Sequence, residues 1–302
     1  MRKILVPTDF SDCAGYALDT AVKLAEKFGS ELHIYHRADI DPGFDENSPQ
    51  HDSVESFAML QYIRKKYYKI REHYRSSNLR IITTFSAGDL VKTVTDYVNA
   101  EHIDMIVMGS SGATGLKEMV MGSQTQKIVR NAHCPVLVVK HPAETVVFKN
   151  IVFASDFSEQ AKKPFEKLLE FARRYGAHIH LLNVAAYPKF TATENDLDRM
   201  KAFEKMCWTL PCTVHGRGDV DLEMGVTHFA REVHADLVSI AHFGKEPLKR
   251  VFTGSLTENL VNHLEIPVLT INAHDVKTWK EILDPHDDSS LKSMKVSSPQ
   301  KR

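Results

Sequence analysis

Long apolar runs are the first thing this sequence lacks. No stretch of its 302 residues approaches the roughly 20 apolar positions that a membrane helix needs. The apolar run before Pro7 is only three residues long, far short of a secretory signal, so a cytoplasmic chain without membrane partners is expected. Cysteine is scarce as well. Cys13, Cys134, Cys207 and Cys212 form no CxxC pair, which argues against a zinc or thioredoxin-type site and predicts reduced thiols. Neither sign of charge dominates, since 38 basic and 39 acidic residues give a net −1, and nothing in that balance points to nucleic acid. No helical His-x3-His pair with a nearby acid completes a metal site, and His178 with His180 only share one face of a strand. Also missing are the P-loop spacing and the dinucleotide fingerprint, which argues against a nicotinamide dehydrogenase.

What is present is an ordinary globular composition, 43% hydrophobic and 25% charged, at a length that suits two domains with two independent cores. The chain repeats itself. Ile4–Ser11 reads ILVPTDFS and Ile151–Ser158 reads IVFASDFS, 147 residues further on. Gly112, Gly122-Ser123 and Pro135 recur as Gly244, Gly254-Ser255 and Pro267 at a spacing of 132. In each copy short β-branched runs alternate with longer segments of helical period, the pattern of a parallel sheet with crossover helices. Strands are predicted over 3–7, 31–36, 79–85, 104–108 and 135–139, and again over 150–154, 178–184, 211–215, 236–240 and 267–271. Helices are predicted over 12–28, 55–75, 88–101 and 122–131. The expected architecture is therefore α/β, two tandem doubly wound domains, each a five-stranded parallel sheet in order 3-2-1-4-5 with helices on both faces. Domain 1 spans 1–145, domain 2 spans 146–274, and 275–302 is expected to be a largely disordered extension. The polar stretch 39–55 reads as a long loop.

After the strand at 104–108 come Gly109, Ser111, Gly112 and, ten residues past Gly112, Gly122 followed by Ser123. Glycine lets backbone N–H groups approach an anion closely, and a helix opening at Ser123 would aim its first N–H groups and its dipole at the same point. A competing reading is structural, because Ser123 through Gln126 also fits a capping box, as Ser255 through Glu258 does. Open α/β sheets bind ligands where strand order reverses, which would bring the Pro7-Thr8-Asp9 turn opposite the glycine loop. Asp9 there suits the uncharged hydroxyls or amines of a nucleoside better than phosphate, and could instead cap the helix at 12–28.

These residues resemble the universal stress protein family, whose ATP-binding members carry Gly-x2-Gly-x9-Gly-Ser/Thr in this strand-loop-helix context. Residues 113–121 supply the nine intervening positions. The resemblance implies that Pro7, Thr8 and Asp9 line a nucleoside pocket bordered by Met108. It implies further that Gly109, Ser111, Gly112, Gly122, Ser123, Gln124 and Thr125 surround ribose and phosphates, with Mg²⁺ or Mn²⁺ riding on the phosphates. Arg37 stands where ATP-binding relatives tend to place an apolar residue, so it could stack on the base, reach phosphate or obstruct the pocket. Acidic residues from Asp39 to Glu55 would form a negative rim if their loop folds over the crevice.

Copy two departs from the pattern. Ala241 replaces the first glycine, Phe243 replaces a serine and Ala154 replaces Pro7, so weak or absent binding is expected there. If position 241 needs positive φ, alanine costs roughly 1–2 kcal/mol. The leading expectation is a cytosolic ATP-binding stress-response protein acting through unidentified protein partners. The alternatives are a slow ATPase or nucleotide transferase, for which Lys117 is near but no base is evident, and an interaction protein that binds no nucleotide. The two copies are expected to form an internal pseudo-dimer, with homodimers of chains also possible in this family's manner.

Overall fold

Tertiary structure comes from a computed structural model that describes residues 1–40, 54–110, 121–142, 146–188, 191, 193–242 and 254–272. In copy one strands and helices alternate as β1 (Lys3–Pro7), α1 (Asp12–Phe28), β2 (Glu31–Arg37), α2 (Val54–His73), β3 (Ile81–Ser86), α3 (Leu90–Glu101), β4 (Met105–Gly109), α4 (Ser123–Asn131) and β5 (Val136–Val139). Copy two runs β6 (Asn150–Ala154), α5 (Lys162–Arg173), β7 (His178–Ala186), α6 (Glu194–Met206), β8 (Cys212–Asp219), α7 (Leu222–Glu232), β9 (Leu237–His242), α8 (Gly254–His263) and β10 (Val268–Asn272). The extension 275–302 and most of the 39–55 loop lie outside the described residues.

Local chemistry explains the elements. α1 starts because extended Ser11 accepts the Ala14 N–H, and it buries Ala14, Ala17, Leu18 and Ala21 at helical spacing. β4, β5 and β10 are buried at every position, as strands covered on both faces must be. Within each copy the pairing is parallel. β1 lies between β2 and β4, so copy one reads β3-β2-β1-β4-β5 and strand order reverses at β1/β4. The tandem doubly wound architecture is as expected.

One join was not expected. β5 and β10 pair antiparallel through Val136↔Thr270, Leu137↔Leu269 and Val138↔Val268, fusing the two sheets into one of ten strands. Each copy thereby covers the other's exposed edge. The expectation of two independent cores is corrected by the same feature, because a continuous sheet has continuous faces. One core gathers Val6, Leu137, Phe153 and Leu269 on one side, and the other gathers Leu5, Val138, Val152 and Val268 on the opposite side. Each core belongs to both copies. Phe28 of α1 stacks on Phe171 of α5, with ring centres 5.6 Å apart, stitching the copies along one face.

A histidine cluster on β7 and β8 makes stability depend on pH. The His178 and His180 rings stack at 4.2 Å, and His180 Nδ1 lies 3.3 Å from His215 Nε2. Burial, with the nearby His178 and His215, holds His180 down at about 4 from its ordinary 6.5. The unfolded chain thus takes up this proton near 6.5 and the folded chain only near 4. His180 contributes full stability above 6.5 and loses it as pH falls towards 4, up to roughly 3 kcal/mol. Urea denaturation across that window is expected to show the decline, and His180→Phe should flatten it. A pH profile identical in the two proteins would contradict this account.

Candidate functional site

At the carboxyl ends of β1 and β4, where strand order reverses, the structure opens a cleft of about 720 Å³, within the range of small-molecule sites. β1 and the turn after it bring Pro7, Thr8 and Asp9 to the wall. Met108 and Gly109 come from β4, Arg37 from the end of β2, and Gly122, Ser123, Gln124 and Thr125 from the start of α4. Ser111, Gly112 and Lys117 lie outside the described residues. Arg37 is exposed and stands in the wall of that volume.

The turn after β1 is built by its own polar groups. The Ser11 N–H donates to Asp9 Oδ1 at 3.0 Å, Phe10 N–H donates to Thr8 Oγ1 at 3.0 Å, and Phe10 adopts a positive φ of 62°. Asp9 therefore shapes the turn, and the alternative that it caps α1 is corrected, since Ser11 holds that place. Copy two repeats the turn, with Ser158 N–H on Asp156 Oδ1 and Phe157 at 55°. In copy one His36 buttresses it by donating Nδ1–H to the Thr8 carbonyl at 2.8 Å. Burial lowers the His36 pKa, so the ring is neutral at pH 7 and its Nε2 carries an acceptor lone pair.

Two glycines have distinct reasons. A Cβ at Gly109 would lie 2.8 Å from Cys13 Sγ and 2.9 Å from the Cys13 carbonyl oxygen, so glycine there lets α1 pack hard against the end of β4. Its φ is not positive, and the supposed backbone penalty at Ala241 is corrected accordingly. Copy two, with alanine at the matching position, opens its first helical stretch as a 3₁₀ turn over Glu159–Ala161. Gly122 is the N-cap of α4, extended at φ −63° and ψ 145°, and its N–H donates to the Ser110 carbonyl at 2.7 Å. The capping-box reading is corrected too. Ser123 is the first helical residue, not the cap, and Gly122 has no side chain to cover the N–H groups of Ser123, Gln124 and Thr125. Thr125 turns its hydroxyl away to the Gly109 carbonyl, 3.0 Å off.

Several wall residues were not read from the sequence. Phe10 and His36 lie with ring centres 4.5 Å apart, and Tyr62 of α2 meets Phe10 edge-on at 6.1 Å, giving the cleft an aromatic side with Met59. Tyr62 belonged to a helix of mixed tyrosines and cations whose period hid which face was which. Asp89 joins Asp9 and Asp39, the last already expected in an acidic rim, so among the described lining residues three carboxylates accompany the guanidinium of Arg37. Asp89 also caps α3 by accepting the Lys92 N–H.

The matching place in copy two is lined differently among the described residues. Val184 occupies the register position of Arg37, and helix α7 presses Gly225 against it, so that a Cβ at 225 would stand 2.5 Å from Val184 Cγ1. Phe157 is buried against Phe153 and Phe203. Phe243 lies outside the described residues.

A tandem of doubly wound α/β domains with an open cleft at one switch point is the class that this fold and site define. The model of the universal stress protein family matches residues 1–140, 148–206 and 211–272. The chain belongs to that family. Universal stress protein MJ0531 of Methanocaldococcus jannaschii is 33% identical over 146 residues, covering 47% of this chain and 83% of its own length. Universal stress protein YxiE of Bacillus subtilis is 28% identical over 155 residues, covering 46% of this chain and 99% of itself. A crystal structure of a universal stress protein from Archaeoglobus fulgidus shares the fold across both copies, with a TM-score of 0.71 at 18% identity over 90% of this chain and 98% of that one. Among the described residues no helix is long and apolar enough to cross a membrane.

Proposed function

We propose that copy one binds ATP in the β1/β4 cleft and that nucleotide occupancy tunes contacts with protein partners, copy two being structural. In this reading domain 1 is 1–145, domain 2 is 146–274, and 275–302 is an extension. The observation that carries the proposal is the start of α4. A glycine N-cap leaves three N–H groups and the positive end of a helix dipole open to the cleft, which suits phosphate. The aromatic side formed by Phe10, His36 and Tyr62 suits a planar base, and the Asp9 carboxylate suits ribose hydroxyls. The Gly-x2-Gly-x9-Gly-Ser spacing of the ATP-binding class adds support.

The wall carboxylates of Asp9, Asp39 and Asp89 repel a bare triphosphate, so a divalent cation bound with the nucleotide would relieve them. Among the described residues no group of three His, Cys, Asp or Glu side chains is arranged to hold a metal. Mg²⁺ or Mn²⁺ would accordingly be held by the phosphates, supplying charge neutralisation. Chain purified without added nucleotide and then denatured is expected to release an adenine nucleotide, identified by mass spectrometry. Release of none, together with no ATP uptake in Mg²⁺, would favour an interaction protein with an unused cleft.

A further inference from the structure

The end of α4 is fixed from two sides, and one of them belongs to copy two. Gly122 N–H is held by the Ser110 carbonyl of copy one at 2.7 Å. The preceding N–H, on buried Met121, donates to Asn262 Oδ1 of helix α8 at 2.6 Å. Asn262 is itself gripped by copy one, since buried Lys140, directly after β5, donates Nζ–H to the Asn262 carbonyl at 2.6 Å. Nearby, Arg130 of α4 pairs with Glu258 of α8. Two consecutive peptide units at the helix entrance are thus pinned, one by each copy.

At the repeat spacing of 132, the residue of copy one that corresponds to Asn262 is Arg130. A guanidinium only donates hydrogen bonds, so Arg130 itself cannot offer copy two the acceptor that Asn262 offers copy one. We infer that Asn262 is a positioning residue, through which copy two sets the α4 N-terminus of copy one for anion binding. The inference rests on the ATP reading for its ligand but not for its geometry. Without the acceptor, the Met121 amide loses its partner in a buried place, and the helix entrance is released to move by the small distances that misalign N–H groups with a phosphate.

Two readouts separate the claims. In residue-resolved hydrogen exchange on the full chain without nucleotide, Asn262→Leu should speed exchange at Met121 by about tenfold or more. Asn262→Asp keeps an acceptor oxygen and should keep Met121 slow. Val107 in β4 reports whether the fold is intact, and Asn262→Ala is read in place of the leucine variant if that one disturbs it. With Mg²⁺-ATP, Asn262→Leu should bind about five- to tenfold more weakly than the parent chain. Unchanged exchange at Met121 in the leucine and alanine variants would overturn the inference, and so would faster exchange with unchanged ATP affinity. A parent chain that takes up no ATP would sink the nucleotide reading, while the exchange comparison would still decide whether copy two pins the helix entrance.

Discussion

Replacing Gly122 by aspartate is expected to stabilise the chain by about 0.5–1 kcal/mol while lowering its ATP affinity by about a hundredfold or more. The two effects have one cause. Gly122 sits in an extended conformation open to any residue, so its backbone places no demand for glycine. An aspartate there would accept the N–H of Gln124 or Thr125 and place a negative charge at the positive end of α4. Those are the groups that the proposal assigns to phosphate. A carboxylate about 4 Å from a phosphate charge costs on the order of 4 kcal/mol near a protein surface, more than the hundredfold requires. Denaturant unfolding and a binding titration on the same preparation measure both arms. A stabler variant that keeps its ATP affinity would mean that the nucleotide phosphates lie elsewhere.

The second large effect is structural. Gly109→Ala should destabilise the chain by about 2–3 kcal/mol, because the added Cβ meets the Cys13 carbonyl oxygen at 2.9 Å and carbonyl carbon at 3.0 Å as well as the thiol at 2.8 Å. A thiol can rotate aside, whereas the carbonyl moves only with the first turn of α1. Adding Cys13→Ala should therefore restore only a minor part of the loss. Because α1 follows directly on the Asp9 turn, and Thr125 is tied to the Gly109 carbonyl, the alanine variant should also bind ATP more weakly. Urea unfolding of the single and double variants checks the first claim, and complete rescue by the double variant would contradict it.

The duplicated fold was legible because its signals are local. The Asp-Phe-Ser turn, the strand runs buried on both faces and the glycine spacing each recur at fixed offsets, and each specifies an element from neighbouring residues alone. Pro7, Asp9, Met108, Gly122 and Ser123 could be placed together because a doubly wound sheet brings the ends of β1 and β4 to one point. What was not legible depends on partners far away in the chain. Val136–Val139 reads as a buried apolar strand whether helices or another sheet lie beside it, so the join to β10 left no mark. His36 alternates with its neighbours like any strand residue, and only the fold shows it reaching the Thr8 carbonyl. Gly109 looked like a phosphate-loop glycine, yet its size serves the packing of α1. Gly225, in mid-helix, gave no hint that it lets α7 rest on Val184.

Counting ATP sites in the intact chain tests the central claim most directly. Calorimetric titration with ATP in excess Mg²⁺ is expected to give one site per chain, abolished by Gly122→Asp in copy one and unaffected by Gly254→Asp, the change at the matching position of copy two. Two equivalent sites per chain, or a single site that survives Gly122→Asp, would contradict the assignment of nucleotide binding to the first copy.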